Sequence, residues 1–363
     1  MRTRLRAFAF PLLFFLGVIV ASILAALRWG AVYDIPAGIL VAALIAFLIL
    51  YPLSMHWSRK EASSKMVQGI FITLSWIAGA LYLLFLTTFL EWLLTRLVPS
   101  LGSRTPWTLP VVTLILFLVS WWRARTFRVT RTTIPLEGVK RRVRLVQVSD
   151  LHLGVILKRP FVERLAEAVK RERPDVVAIT GDVFDGTGTP SADTLRPLAL
   201  SRVPVLAVLG NHDCYYGYGK SARLLRQAGI TVLRGTTLTR RGVRFGGLDS
   251  PLHATGGDGI QGLDRLETPD VLLYHIPSSP EKAEKRGVKI FLAGHTHAGQ
   301  LFPFSLFVRL FFRYIRGWHR LGGMRLHVSP GTGSWGPMLR LGAAPEITVM
   351  DLVPSRRQGP KPF

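Results

Sequence analysis

The chain has 363 residues, 49% of them hydrophobic and only 19% charged. Its mean hydropathy of +0.31 disfavours a purely soluble protein of this size. The net charge of +24 excludes an acidic disordered chain, and the single cysteine, Cys214, excludes a disulfide scaffold and suits a reducing compartment. So large a basic excess suits nucleic acid, anionic lipid or phosphorylated substrates, or else an arginine-rich proteome.

Four apolar stretches come first, at 8–27, 36–53, 69–94 and 108–122. The first three reach or approach the ~20 residues that cross a bilayer core. The fourth is short, but Trp107, Trp121 and Trp122 suit the two interfaces. Glu91 is the only charge inside any of them. Arg2, Arg4 and Arg6 would suit the start of a signal peptide. The apolar run is long for that purpose and three more follow, so an uncleaved anchor is expected. No adjacent Arg pair precedes it, so a twin-Arg export signal is not supported. The N-terminus carries three basic residues, loop 28–35 one, loop 54–68 three (Arg59, Lys60, Lys65) and loop 95–107 two, and the fourth stretch is followed by a dense cluster: Arg123, Arg125, Arg128, Arg131, Lys140, Arg141 and Arg142. Both ends inside the cell fits best. The expectation is a multi-pass protein of the inner (cytoplasmic) membrane with its polar half in the cytoplasm.

From about residue 127 the pattern changes. Short β-branched runs at 127–134, 143–148, 176–180, 205–209, 243–248, 271–274, 290–293, 326–329 and 347–352 read as strands. Helical stretches at 160–173, 191–198, 220–228 and 280–286 fall between them. Alternation of this kind predicts a layered α/β domain over 126–354. The Pro/Lys/Arg-rich tail at 355–363 is expected to be disordered.

Five of the predicted strands run straight into polar clusters. They are Ser149-Asp150-Leu151-His152, Gly181-Asp182-Val183-Phe184-Asp185, Gly210-Asn211-His212-Asp213, His275, and Gly294-His295-Thr296-His297. Loops beyond the carboxyl ends of strands converge in α/β sheets. Five such loops converging make one mixed nitrogen/oxygen metal site, a donor set that suits Mn, Fe or Zn better than Mg or Ca. An extended backbone is expected to aim Asp150 with His152, and His295 with His297, at one ion. Each motif alone is a common turn. The combination is specific, because five of the nine histidines sit in it. His56, His253, His319 and His327 lack that setting and are expected to be structural or superficial.

In order, these motifs resemble the pattern D-x-H, G-D-x-x-D, G-N-H-D/E, H, G-H-x-H of the calcineurin-like metallophosphoesterase superfamily, over about 145–300. Val328-Ser329-Pro330-Gly331-Thr332-Gly333-Ser334-Trp335-Gly336-Pro337 and Pro345-Glu346-Ile347-Thr348 resemble its membrane-associated branch. That branch includes the YkuE/YaeI-type enzymes and the group of transmembrane proteins with a metallophosphoesterase domain. The resemblance implies a four-layer α/β/β/α sandwich, preceded here by a four-helix transmembrane domain over 1–125. It implies two divalent metal ions, with Asp150, His152 and His297 on the first, Asn211, His275 and His295 on the second, and Asp182 bridging them. A hydroxide held between the metals would attack phosphorus. His212 is then the general acid, and Asp185 matches the position that orients it, although a swap of roles with Asp213 stays open. Gly186 stands where phosphoprotein phosphatases have an arginine, which argues against that class. His212 stands where one soluble class of UDP-diacylglucosamine pyrophosphatases has arginine.

Residues 301–320 read as a basic amphipathic helix, with Arg309, Arg313, Arg316 and Arg320 at helical spacing among Phe and Trp. Such a helix either lies on a bilayer or packs against the protein. No acid occurs between Glu284 and Glu346. The expected function is hydrolysis of a phosphoester or pyrophosphate at a lipid bilayer, with a lipid-linked or nucleotide-lipid substrate. The alternatives are an inactive metal-binding membrane sensor and a nucleic-acid or nucleotide phosphodiesterase. Nucleic acid is not the expected partner, because the aromatics cluster in apolar stretches and form no stacking platform. The sequence identifies no protein partner.

Overall fold

A computed structural model describes residues 23, 27, 28, 30, 33–60, 64–101, 105–188, 190–199, 203–251 and 259–355. The chain forms two compact units, Met1–Arg125 with Gly336–Leu339, and Thr126–Trp335 with Arg340–Phe363.

The first unit contains helices α1 (Ala37–Lys60), α2 (Lys65–Leu97) and α3 (Thr105–Arg123). Its burial pattern is inverted relative to a soluble bundle. Ile39, Ile45, Ile49, Leu114 and Ile115 are exposed, while Ser54, Ser58, Ser75 and Thr87 are buried. The Ser75 hydroxyl donates to the Phe71 carbonyl, and Thr87 and Thr113 join α2 to α3 through their hydroxyls at 2.7 Å. Small polar residues at helix contacts with apolar surfaces outside is the pattern that a lipid solvent favours. Two described helices, α1 and α2, are long and apolar enough to cross a membrane. Of the expected spans, 36–53 and 69–94 fall in these helices and 108–122 falls in the shorter α3. The stretch 8–27 lies almost wholly outside the described residues, as do His253 and most of the C-terminal tail.

The second unit is a mixed α/β fold with two six-stranded sheets. The first sheet contains β1 (Arg128–Leu136), β2 (Val143–Val148), β3 (Val176–Thr180), β4 (Val205–Val208), β5 (Thr231–Val232) and β12 (Glu346–Pro354), in the order β1-β12-β2-β3-β4-β5. The second contains β6 (Thr236–Arg240), β7 (Val243–Gly247), β8 (Val271–Leu273), β9 (Ile290–Ala293), β10 (Gly317–Leu321) and β11 (Met324–Val328), in the order β10-β11-β9-β8-β7-β6. The inner strands form two parallel blocks, β2-β3-β4 and β7-β8-β9-β11, which β12, β6 and β10 flank as antiparallel neighbours. Parallel strands buried on both faces read as continuous apolar runs, which is why 176–180, 205–208 and 290–293 were legible without alternation.

Period-two placement builds the core between the sheets. Val143, Leu145, Val176, Ala178, Leu206 and Val208 from one sheet meet Phe245, Val271, Leu273, Ile290 and Leu292 from the other. Around the sheets lie α4 (Arg159–Arg171), α5 (Ala192–Leu195), α6 (Asn211–Tyr216), α7 (Tyr218–Gln227), α8 (Pro280–Lys285) and α9 (Phe304–Phe311). Ala283 of α8 joins Leu272, Phe291 and Leu326 in a second cluster on the far face of the second sheet.

The segment 301–320 is not one helix. Helix α9 covers only Phe304–Phe311, and Gly317–Leu321 is strand β10, paired antiparallel to β11. Gly317 at φ +78 turns the chain, and Trp318 packs against the inter-sheet core. Edge pairing and core packing outweigh the helical spacing of the arginines, so only Arg309 lies on the helix. The edge strands β5 and β6 are short and polar and carried no periodic signal.

Candidate metal centre

Five loops reach one place because five parallel strands deliver them there. β2 ends in Asp150 and His152, β3 in Asp182, β4 in Asn211 at the start of α6, β8 in His275, and β9 in His295 and His297. Three groups of donor atoms each lie within 4.8 Å: Asp150 with His152 and His297; Asp182 with His275 and His295; and His152 with Asp185 and His212. Six of the sequence-predicted residues fall in the first two groups, Asp150, His152 and His297 in one and Asp182, His275 and His295 in the other, while Asn211 starts α6 with its side-chain oxygen buried.

The local backbone differs from the extended geometry expected for the two i, i+2 pairs. Asp150, His152, Asp182, His295 and His297 all have positive φ, between +48° and +73°. Left-handed turns, and not strand pleating, aim these side chains. Each costs on the order of 1 kcal/mol in a non-glycine residue. The motif glycines serve close approach. At Gly210 a Cβ would collide with the Asp182 carboxylate, and at Gly294 with Ser149 and the Asp150 carboxylate. At Gly181, with φ +90, it would lie 2.6 Å from the His275 ring.

The hydrogen bonds orient the donors. Nδ1 of His275 lies 2.8 Å from the Thr180 carbonyl and donates to it, which leaves Nε2 facing Asp182 Oδ2 at 3.0 Å. The other Asp182 oxygen accepts from the His212 backbone N–H at 2.8 Å. The Asp150 carboxylate accepts from the His295 N–H at 3.0 Å and lies 3.4 Å from His297 Nε2. His152 and His297 present their Nε2 atoms to each other at 2.9 Å.

The donor set fits divalent cations. Asn211 Oδ1 is buried without a hydrogen-bond partner, and His275 Nε2 is buried against the Asp182 carboxylate. Two carboxylates, Asp150 and Asp182, are almost fully buried within reach of those nitrogens. A buried unpaired acceptor is costly unless a hydrogen bond or a metal satisfies it. Borderline N/O donors in this number match Mn, Fe or Zn.

The protonation preferences of His295 and His297 suit ligation. Burial presses His295 down to about 3, aided by the neighbouring His275, so its imidazole is neutral, the form that ligates. Burial also holds His297 well below the usual value, with His152 and Arg340 adding to it. His275 behaves in the opposite way. Burial opposes its charge, but Asp182 and Asp150 outweigh burial and raise it to about 9. Asp182 is held well below the carboxylate range against its own burial, chiefly by His275 and His212.

His212 is the second residue of α6 and stands at the rim, edge-on to Tyr215 at 5.1 Å, with Trp335 at 6.1 Å. Its Nδ1 lies 3.4 Å from the Asp185 backbone carbonyl and 3.9 Å from the Asp185 carboxylate. That carboxylate is nearer His152 Nδ1, at 3.4 Å. Asp213 is a loop brace: it accepts from the backbone N–H groups of Phe184, Gly210 and Val183. Gly186 has φ +84, and Tyr215 Cβ lies 2.8 Å from where its Cβ would stand. Tyr215 therefore occupies the space that a side chain at 186 would enter.

Sequence reasoning missed Arg340. It is fully buried, with Nη1 donating to the Pro330 carbonyl at 2.8 Å and to the His297 carbonyl at 3.4 Å, and Nη2 to the Gly333 carbonyl. Its Nη2 also lies 3.3 Å from His297 Nδ1. Burial lowers it to about 10, so it remains a cation behind the centre. No spacing marks this residue, since its partners are backbone carbonyls made adjacent only by the fold. His327 proves structural: it is buried, with Nδ1 2.8 Å from the Gln147 amide oxygen, and Gln147 in turn donates to Thr180 and to the Ala293 carbonyl.

A family model for calcineurin-like phosphoesterases matches residues 143–299. The chain is 33% identical over 240 residues to an uncharacterized metallophosphoesterase of Aquifex aeolicus, a match covering 62% of this chain and 91% of that protein. It is 29% identical over 245 residues to the transmembrane protein with metallophosphoesterase domain of Danio rerio, covering 61% and 56%. It is 29% identical over 226 residues to phosphodiesterase YaeI of Escherichia coli, covering 58% and 82%. Against the Helicobacter pylori relatives that it also matches, the chain spans 65% of their length.

Proposed function

This chain belongs to the calcineurin-like phosphoesterase family, and we propose that it is a metal-dependent hydrolase of a phosphoester or pyrophosphate bond, held at a membrane by its N-terminal helices. One observation carries the catalytic part: six donor residues converge in two groups, and Asn211, next to the His212 whose N–H bonds Asp182, keeps a buried side-chain oxygen without a hydrogen-bond partner.

Asp150, His152 and His297 would hold one divalent ion and Asn211, His275 and His295 a second, with Asp182 shared between them. Such a pair of cations supplies polarisation of a phosphoryl oxygen and acidification of a water. The protein's own contributions are orientation and proton handling. Thr180 fixes the His275 ring, and the His212 N–H fixes Asp182. His212 directs Nδ1 at the Asp185 carbonyl, so Nε2 is the atom that gives a proton to the leaving oxygen. Burial lowers His212, with Asp182 raising it, and an incoming phosphate anion raises it further.

The finer reading is a lipid-linked or nucleotide-lipid substrate. It is supported by the apolar exterior of α1 and α2 and by the absence of any acid between Glu284 and Glu346. Both put apolar and anionic groups within the chain's reach. The name of the Escherichia coli relative supports a diester as the bond. The test is hydrolysis by detergent-purified chain, stripped with chelator and reloaded with Mn, Fe or Zn. Bis-p-nitrophenyl phosphate and a panel of phospholipids and nucleotide-lipids are the substrates. Cleavage that requires the added ion is expected. Two ions bound per chain with no phosphoester cleaved would favour the metal-binding sensor instead.

A further inference from the structure

The segment that follows the His295-Thr296-His297 turn is built outside in. Of the eight residues of α9, only Val308 is fully buried, while Leu306 is 56% and Leu310 75% exposed, with Phe302 and Phe307 exposed beside them. Leu306, Phe307 and Leu310 lie at i, i+1 and i+4, on one face of the helix. A soluble surface scatters such residues singly. Arg309 on the helix and Arg313, Arg316 and Arg320 in the chain that follows it are all exposed. Arg313 lies 3.9 Å from Glu281. The segment is fixed to the metal centre on its inner side. The Phe312 ring stands 5.2 Å from the His295 ring, and the Thr296 hydroxyl donates to the Ile315 carbonyl at 2.6 Å.

We propose that α9 is an interfacial wedge: Phe302, Leu306, Phe307 and Leu310 enter the headgroup–acyl boundary of an anionic bilayer, and the four arginines bind its lipid phosphates. An exposed apolar face followed along the chain by exposed arginines matches that surface in both chemistries at once. The long side chains can bury their stems and keep the guanidinium at headgroup level. A protein partner would leave this run of like charge unmatched unless it brought an acidic rim. The consequence is that the rim beside His295 sits at the depth of lipid phosphates.

This inference rests on the membrane reading above only in that the chain meets a bilayer, and it is independent of catalysis. The test uses the full chain with p-benzoylphenylalanine in place of Phe307 or Leu310. The control position replaces Arg240, on β6 at the opposite edge of the same sheet. Each is reconstituted into phosphatidylcholine vesicles with or without phosphatidylglycerol, floated, irradiated and analysed by mass spectrometry. Lipid adducts at 307 and 310 are expected several-fold above those at 240. They should increase with phosphatidylglycerol, and Arg309→Gln with Arg313→Gln should abolish that increase. A chain that floats but labels lipid no better at 307 and 310 than at 240 overturns the wedge alone, as do adducts to a second protein chain. A chain that does not float with either vesicle overturns both the wedge and the anchoring.

Discussion

The role proposed for His212, which stands between Tyr215 and Trp335, is proton donation. His212→Asn is expected to lower kcat about 100- to 10,000-fold on an alkyl phosphoester, whose leaving oxygen needs a proton. On a p-nitrophenyl ester, whose leaving group needs none, the loss should be much smaller. An equal loss on both substrates would remove His212 from that role. Arg340 makes a different prediction. Arg340→Met leaves the carbonyls of Pro330, His297 and Gly333 without their donor, at a cost of about 3 kcal/mol. Thermal unfolding of the metal-free protein reads this directly, and metal titration should show roughly 10- to 100-fold weaker binding of one ion.

At the scale of elements, the site depends on loops packed too closely for a side chain at the motif glycines. Gly210→Ala sets a methyl group against the Asp182 carboxylate and backbone. It should cost about 1–3 kcal/mol as overpacking and lower the metal content per chain, measured by elemental analysis. β2 and β12 are held together on their outer rim by Arg144 and Asp351, whose bidentate contacts are 2.8 and 2.9 Å. The hydrogen bond from Arg144 depresses the Asp351 pKa. The folded state therefore binds that proton more weakly than the unfolded chain does. The stabilisation is complete above the unfolded carboxylate value of about 4 and is lost as pH falls through the folded value. Asp351→Asn should cost roughly 1 kcal/mol at neutral pH, and denaturant midpoints of variant and parent should converge in acid.

At the scale of the molecule, α1 and α2 combine an apolar exterior with buried Ser54, Ser58, Ser75 and Thr87. The chain should float with vesicles and stay with them through high-salt and carbonate washes, which strip proteins bound only by charge. Release by either wash would refute spanning.

The site was unusually legible, because metal ligation demands particular residue types and parallel strands advertise themselves as apolar runs. The order Asp150, His152, Asp182, Asn211, His275, His295, His297 therefore read directly as chemistry. Short-range patterning also marked the inner strands to within a residue or two. Three features needed the folded chain. The left-handed turns that aim the ligands come from contacts between loops distant in sequence. Arg340 acts through carbonyls that carry no side-chain signature. Residues 317–321 became a strand because an edge of the second sheet was open to them, against a spacing of arginines that favoured a helix. Local periodicity and donor chemistry are properties of neighbouring residues and are written in one dimension. Backbone strain, buried counter-charges and edge pairing arise only where segments meet, so they were settled in three.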